Sequence, residues 1–248
     1  MNSICIITFQ PSLIYCDFLN LFSKYKIFII VDDNDYDLSD FINNYKNITF
    51  IKIENKMCEL NGYKDTNYMI NKLISGWDKA LYYFGVVDTN YDKIWFMEDD
   101  VFFYNEDTII QIDHQYINDD LLSNTYTENR DGNPYDWHWG RIHINYTPPY
   151  YQGMMCAVRF SKKMLKCIND YATLHKTLFF LEALFPIIAV KNNLKYSNPV
   201  EFSNIVWRND WKLSDIKCNN LYHPIKDIAI QCAYRAAITH NEIKPESL

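Results

Sequence analysis

The sequence predicts a single α/β domain with a mostly parallel central sheet flanked by helices. Three observations point to it. Short β-branched apolar runs alternate with stretches of helical apolar spacing. The runs are nearly continuous in apolar residues, as expected of parallel strands buried on both faces. Two of them end abruptly in clustered acids, at the strand end where α/β sheets bind ligands.

Ile4 to Phe9 reads as a first buried strand stopped by Gln10-Pro11. Ser12 is placed to cap a helix through Tyr15, Phe18, Leu19 and Phe22. Ile27 to Val31 is a second strand running into Asp32, Asp33, Asp35 and Asp37, and Ile48 to Ile53 a third. Asn71 to Phe84 carries Leu73, Ile74, Trp77, Ala80, Leu81 and Phe84 on one helical stripe, with Gly85 as its stop. The fourth strand begins at Lys93 and ends in Glu98-Asp99-Asp100, with apolar residues resuming at Val101.

Beyond it, Asn105 to Asp120 reads as an exposed, partly helical acidic connection. Glu128 to Trp139 is a loop whose Trp137 and Trp139 suit stacking on a sugar face. Met154 to Val158 is a strand, Ser161 opens a helix through Ile168, and a further helix runs from about His175 to Val190 with a kink at Pro186. The stretch from Tyr196 is irregular up to a final helix from Ile225 to Ile238. No repeat or linker divides the chain. We therefore expect one domain over 1–248, of two halves (1–104 and 105–248).

Composition narrows the function classes. In 248 residues, 48% are apolar and 22% charged, as in an ordinary folded soluble protein. A net charge of −7 argues against general binding to a nucleic-acid backbone, which needs a basic surface. Seven cysteines without a CxxC pair read as reduced, mostly buried thiols of a cytosolic protein, not a disulfide framework or a zinc site. Met1 to Ile7 lacks the basic start of a signal peptide, and no segment is long and apolar enough to span a membrane. Frequent Asn, Ile, Lys and Tyr fit an AT-rich coding source such as a large DNA virus or a protist; for a virus, the compartment would be the host cytoplasm.

Three adjacent carboxylates at a buried strand end repel one another and lose hydration, at a cost of several kcal/mol without a countercharge. A hard dication such as Mg²⁺ or Mn²⁺ removes that cost and accepts water and substrate phosphates as further ligands. An acidic turn in solvent is the plainer alternative, and the flanking apolar residues argue against it.

This order, with its acid-tipped second and fourth strands, resembles the GT-A fold of glycosyltransferases that use a nucleotide-diphosphate sugar and a divalent metal. Glu98-Asp99-Asp100 stands where that family has a DXD-type motif, with Glu for the first Asp. The resemblance implies Mn²⁺ (or Mg²⁺) and a donor, by class a UDP-sugar. It implies Asp100 as the direct metal ligand, with Glu98 or Asp99 holding the ribose or a bound water, and Glu98 itself a candidate ligand. It implies Asp32 or Asp33 on base or ribose, backbone near Thr8 and Phe9 in the base pocket, and Lys79, with Trp77, toward the nucleotide. For Asp32 and Asp33 an Asp-rich turn, and for Trp77 core packing, remain the alternatives.

Leu221 to Lys226 resembles the late histidine segment of such enzymes, which implies His223 as a further metal ligand and Lys226 on the phosphates. The alternative is that His223-Pro224 caps the final helix. Glu182 lies in an otherwise apolar helical stretch, where burial would raise its pKa and suit it to deprotonate an acceptor hydroxyl. An acid on a polar stripe paired with Lys176 is the competing reading, Asp210 is the reserve base, and Arg208 is available to phosphate or acceptor. The expectation is inverting transfer to a hydroxyl of a glycan or glycoprotein. The alternatives are a retaining enzyme, a nucleotidyltransferase, or a noncatalytic nucleotide- or carbohydrate-binding module. No GxxxxGK loop supports a triphosphate site.

Overall fold

In the computed structural model, residues 2–70 and 73–239 are described. The elements in chain order are β1 (Ser3–Thr8), α1 (Leu13–Leu19), β2 (Lys26–Val31), α2 (Ser39–Asn44), β3 (Ile48–Ile51), α3 (Asn55–Leu60), α4 (Gly76–Tyr82), β4 (Lys93–Glu98), α5 (Glu106–Gln115), β5 (Leu121–Asn129), β6 (Tyr150–Ser161), α6 (Lys162–His175), α7 (Leu181–Lys191), β7 (Tyr196–Ser197), β8 (Asn204–Ile205), β9 (Tyr222–His223) and α8 (Ile228–Thr239).

The main sheet has the order β3-β2-β1-β4-β6-β5-β7. Its first four strands are parallel; β6 runs antiparallel to both β4 and β5. Because β1, β2 and β4 are flanked by partners on both edges and covered on both faces, their apolar runs are continuous. The pleat sorts them by parity. In β4, Ile94 and Phe96 face a core layer with Trp77, Leu81, Leu184 and Phe185. Trp95 and Met97 face the opposite layer with Tyr15, Leu19, Ile109 and Ile112. Glu98 continues the Ile94–Phe96 parity, which directs it toward α4.

Several expected bounds move. Asn71 and Lys72 lie outside the described residues, and α4 begins at Gly76, where Asp78 accepts from the backbone N–H and hydroxyl of Ser75 (2.8 Å each). Gly85 does not stop the helix. It lies in a wider turn (Tyr83–Val87) that continues it, where a Cβ would come within 2.7 Å of the Tyr63 hydroxyl. The helix expected from His175 to Val190 is two: α6 ends at Lys176, whose φ of 58° leaves the helical region, and α7 starts at Leu181. Extended residues between them are tied down by Leu178 N–H to Lys64 O (3.1 Å) and Leu181 N–H to Thr66 O (2.9 Å).

The stretch expected as an exposed connection holds a regular helix, α5, started by the Asn105 side chain accepting from Thr108 N–H (3.1 Å). Its buried Asp113 receives Arg159 (2.8 Å), Tyr25 (2.6 Å) and Trp95 (3.2 Å), so α5 is anchored to the sheet. The last helix starts at Ile228, with the Asp227 carboxylate accepting from Ala229 N–H (2.8 Å). Pro224 therefore lies outside its first turn, and the reading of His223-Pro224 as a helix cap falls. No helix among the described residues is long and apolar enough to cross a membrane.

Candidate active site

Parallel pairing brings the acid-bearing strand ends to one edge. Thr8 lies beside Val31, and Ile7 beside Glu98, so the residues just past β1, β2 and β4 converge. Thr8 Oγ1 lies 2.5 Å from Asp99 Oδ2 and 2.8 Å from Gln10 O, and its single proton goes to the nearer carboxylate. Burial raises the Asp99 pKa against this hydrogen bond. A small cavity of about 210 Å³ is lined here by Thr8, Phe9, Asp32, Gly76, Trp77 and Asp99. Glu98, Asp100 and Asn67 are shared with a larger cleft of about 1370 Å³.

Trp77 follows its alternative reading, core packing, and adds a hydrogen bond that neither reading named. It is 2% exposed, packed in the core, and its Nε1 donates to Glu98 Oε1 (2.8 Å). Burial, then the neighbouring Asp100, raises the Glu98 pKa, and Trp77 opposes the shift. Lys79 is buried and places its ammonium 2.9 Å from Asp32 Oδ1 and Asn34 Oδ1 and 2.6 Å from Asp32 O. Its ammonium is thus engaged by Asp32 and Asn34, and it orients the Asp32 carboxylate. Asp33 folds its own turn: it accepts from Gln10 Nε2 (2.7 Å) and Asp35 N–H (3.0 Å), and these bonds hold its pKa low.

His223 enters from β9. Its Nδ1 lies 2.7 Å from Val206 O. A carbonyl only accepts, so Nδ1 carries the proton and Nε2 presents a lone pair in the neutral ring. Nε2 is 3.4 Å from Asp100 Oδ1 and 3.8 Å from Glu98 Oε2. Asp100 Oδ1 is buried and has no hydrogen-bond partner. Burial works against a charged His223 ring, but Asp100, the Val206 carbonyl and Glu98 together outweigh it and its pKa rises. An imidazole nitrogen facing two carboxylates is a donor set that a dication can take in place of the proton, oriented by the Val206 carbonyl behind the ring. The residues present therefore fit a metal ion.

A fourth group enters this cluster. Atoms of Glu98, Cys156 and His223 lie within 4.8 Å of one another. Met97 pairs with Ala157, so Cys156 follows opposite Glu98 on the neighbouring strand. Antiparallel pairing of two distant segments is the signal, and neither cysteine spacing nor a local motif carries it.

Glu182, in the first turn of α7, lines the larger cleft. Burial, and then the charge of Glu98, push its pKa up to about 7, with His223 opposing. Asp210 also lines the cleft but is exposed and paired with Lys212 (2.7 Å), which leaves it an ordinary surface acid. Lys226 and Arg208 are exposed on the same cleft. Trp137 lines it too, whereas Trp139 is buried against Tyr150. Trp207, 67% exposed on the cleft, escaped sequence reading because nothing in its spacing marks it.

Gln231 escaped it as well. From α8, its buried Nε2 donates to Asp99 O and Ile225 O (2.9 Å each), while Ile225 N–H donates to Asp100 O (2.8 Å). The acidic turn and the His223 segment are thereby fastened to each other.

The chain matches no family model and no curated protein sequence. Among solved structures, an active-site mutant of LgtC is 12% identical, with 99% of this chain and 98% of that one covered, at a TM-score of 0.50. A 4-diphosphocytidyl-2C-methyl-D-erythritol synthase from Anaerococcus prevotii is 13% identical (94% and 98% covered, TM-score 0.49). Mouse xyloside xylosyltransferase 1 in its apo form is 7% identical (91% and 98% covered, TM-score 0.46). At such identity the likeness concerns the fold: a single α/β domain of the GT-A type.

Proposed function

We propose that the protein is a metal-dependent glycosyltransferase that moves a sugar from a nucleotide-diphosphate donor, of the UDP-sugar class, to a hydroxyl of a glycan or glycoprotein. The observation that carries this reading is the convergence of the buried Asp100 Oδ1, which has no hydrogen-bond partner, and the Glu98 carboxylate on Nε2 of His223, at the junction of the two cavities. Asp100, His223 and Glu98 would hold the metal, with Mn²⁺ favoured over Mg²⁺ by the imidazole. When bound, such an ion neutralises the leaving diphosphate as a Lewis acid.

The chain's own residues supply the rest. The small cavity suits the nucleoside, with Thr8, Phe9 and Asp32 around it and Lys79 fixing Asp32 from behind. Lys226, exposed on the larger cleft, offers a point charge to phosphate oxygens. Glu182, half-protonated near pH 7, is suited to take the acceptor hydroxyl's proton as that oxygen attacks the anomeric carbon and the sugar–phosphate bond breaks. A base on the face opposite the leaving group gives inversion. Asp210 is the weaker choice for this role because Lys212 neutralises it in solvent. The larger cleft exceeds what a donor sugar fills, and Trp137, Trp207 and Arg208 line the remainder, where an acceptor glycan would lie.

The test is a thermal shift with UDP plus Mn²⁺, followed by UDP release from a panel of UDP-sugars with glycan acceptors. Metal-dependent stabilisation with turnover is expected. Stabilisation without turnover or hydrolysis would make the protein a binding module, and stabilisation by a nucleoside triphosphate but not UDP would make it a nucleotidyltransferase.

A further inference from the structure

We infer that Cys156 supplies a thiolate ligand to the Glu98–Asp100–His223 site, so that the site holds a borderline, thiophilic dication such as Zn²⁺ or Co²⁺ with a preference that a carboxylate–imidazole set alone would not give. The inference rests on the metal half of the reading above and not on sugar transfer.

Three observations carry it. The donor atoms of Glu98, Cys156 and His223 lie within 4.8 Å of one another, a spread that one ion can gather, since zinc–ligand bonds are about 2.0–2.3 Å long. His223, 6% exposed, aims its Nε2 at them while Val206 O holds its Nδ1, and the buried Asp100 Oδ1 lies 3.4 Å from Nε2 without a hydrogen-bond partner. Antiparallel pairing sets Cys156 opposite Glu98, one residue past Met97↔Ala157, in a stretch where the β5–β6 register slips between Leu122↔Arg159 and Asn124↔Met154. Bulges of this kind re-aim side chains beside sites.

The chemistry follows from softness. Mg²⁺ and Mn²⁺ prefer oxygen, while thiolate with imidazole and carboxylate is a donor set for zinc and its neighbours. Coordination exchanges the S–H bond for a metal–sulfur bond and releases that proton to solvent, so uptake of the ion is coupled to loss of one proton more than a thiol-free site would release. The other six cysteines are free and belong to none of the metal-capable groups found among the described residues.

The experiment titrates the full chain with Co²⁺, following thiolate-to-metal charge-transfer absorbance in the near ultraviolet, and measures displacement of Mn²⁺ by Zn²⁺ with Mn²⁺ resonance as the readout. The expected result is a charge-transfer band in the native chain and in Cys232→Ser but not in Cys156→Ser or Cys156→Ala. Any nitrogen–oxygen site favours Zn²⁺ over Mn²⁺, so the thiolate's share is the part of that ratio lost on substitution. It should fall by about tenfold or more, the lower end of what losing a neighbour of a bound ion costs. Mn²⁺ binding with UDP stabilisation but no band, or an unchanged Zn²⁺/Mn²⁺ ratio in both Cys156 variants, would overturn the inference and leave the transferase reading standing. A Cys156-dependent band without any nucleotide stabilisation would do the reverse, and failure to bind any dication would end both.

Discussion

In the proposed reading, Glu182 and Asp100 are the side chains on which the chemistry turns. Glu182→Gln keeps shape and removes the base, so donor binding should persist while transfer falls by roughly 10²–10⁴. Steady-state kinetics with UDP-sugar, together with UDP affinity, checks both halves. The sign of the pH effect is fixed by the role. A base acts only as the carboxylate, so turnover should climb as pH rises toward about 7, the value to which burial pushes Glu182, and level off above it. A cation near Glu98 shifts that limb downward, and the limb should vanish in Glu182→Gln. Asp100→Ala removes the orphaned oxygen and should abolish metal-dependent UDP binding in calorimetry with the circular dichroism spectrum intact. Which residues form the candidate site was largely legible in the sequence, since an acid among apolar neighbours is conspicuous. What each one does was less so. Lys79 reads as free until Asp32 is seen beside it, and Cys156 belongs to the site only through pairing that local spacing does not encode.

At the scale of elements, β4, β9 and α8 form one assembly around the acidic turn. Gln231 is its clamp, holding Asp99 O and Ile225 O from a helix that itself lines part of the cleft. Gln231→Leu removes both bonds and leaves two buried carbonyls without that donor, which costs about 1–3 kcal/mol apiece at most. Because those carbonyls position Asp100 and His223, Mn²⁺ affinity should drop by about tenfold or more while UDP affinity without metal stays put. Glu at the same position, which restores size but not the donor, should fail to rescue it. Equal losses of metal-free and metal-dependent binding would mark Gln231 as structural only. The strands of the first half and their order of acids could be read directly, because a buried parallel strand is a continuous apolar word. The split of α6 from α7 could not, because what separates them is a left-handed Lys176 and backbone bonds to Lys64 and Thr66, more than a hundred residues earlier. Nor could the burial of α5, a stretch read as partly helical but exposed, because it depends on Arg159 and Trp95 reaching Asp113 from the sheet.

Across the whole molecule, the acids at the junction of the two cavities are a standing electrostatic cost, visible in the raised pKa values of Glu98, Asp99 and Glu182. An ion that binds only the folded chain repays it. At a hundredfold excess over its dissociation constant it adds about 2.7 kcal/mol, or ~5–10 °C in melting temperature for a domain of this size. Differential scanning fluorimetry should show that gain with Mn²⁺ for the native chain, its reversal by chelator, and little of it in Asp100→Ala. Trp77 shows how closely the interior and the cleft are joined. The same indole that fills the space against Phe96 and Phe185 also steers a Glu98 oxygen through its N–H. Another bulky hydrocarbon in place of that ring could fill the same volume and still let the acid swing, so a change neutral for folding would not be neutral for the position of the Glu98 carboxylate.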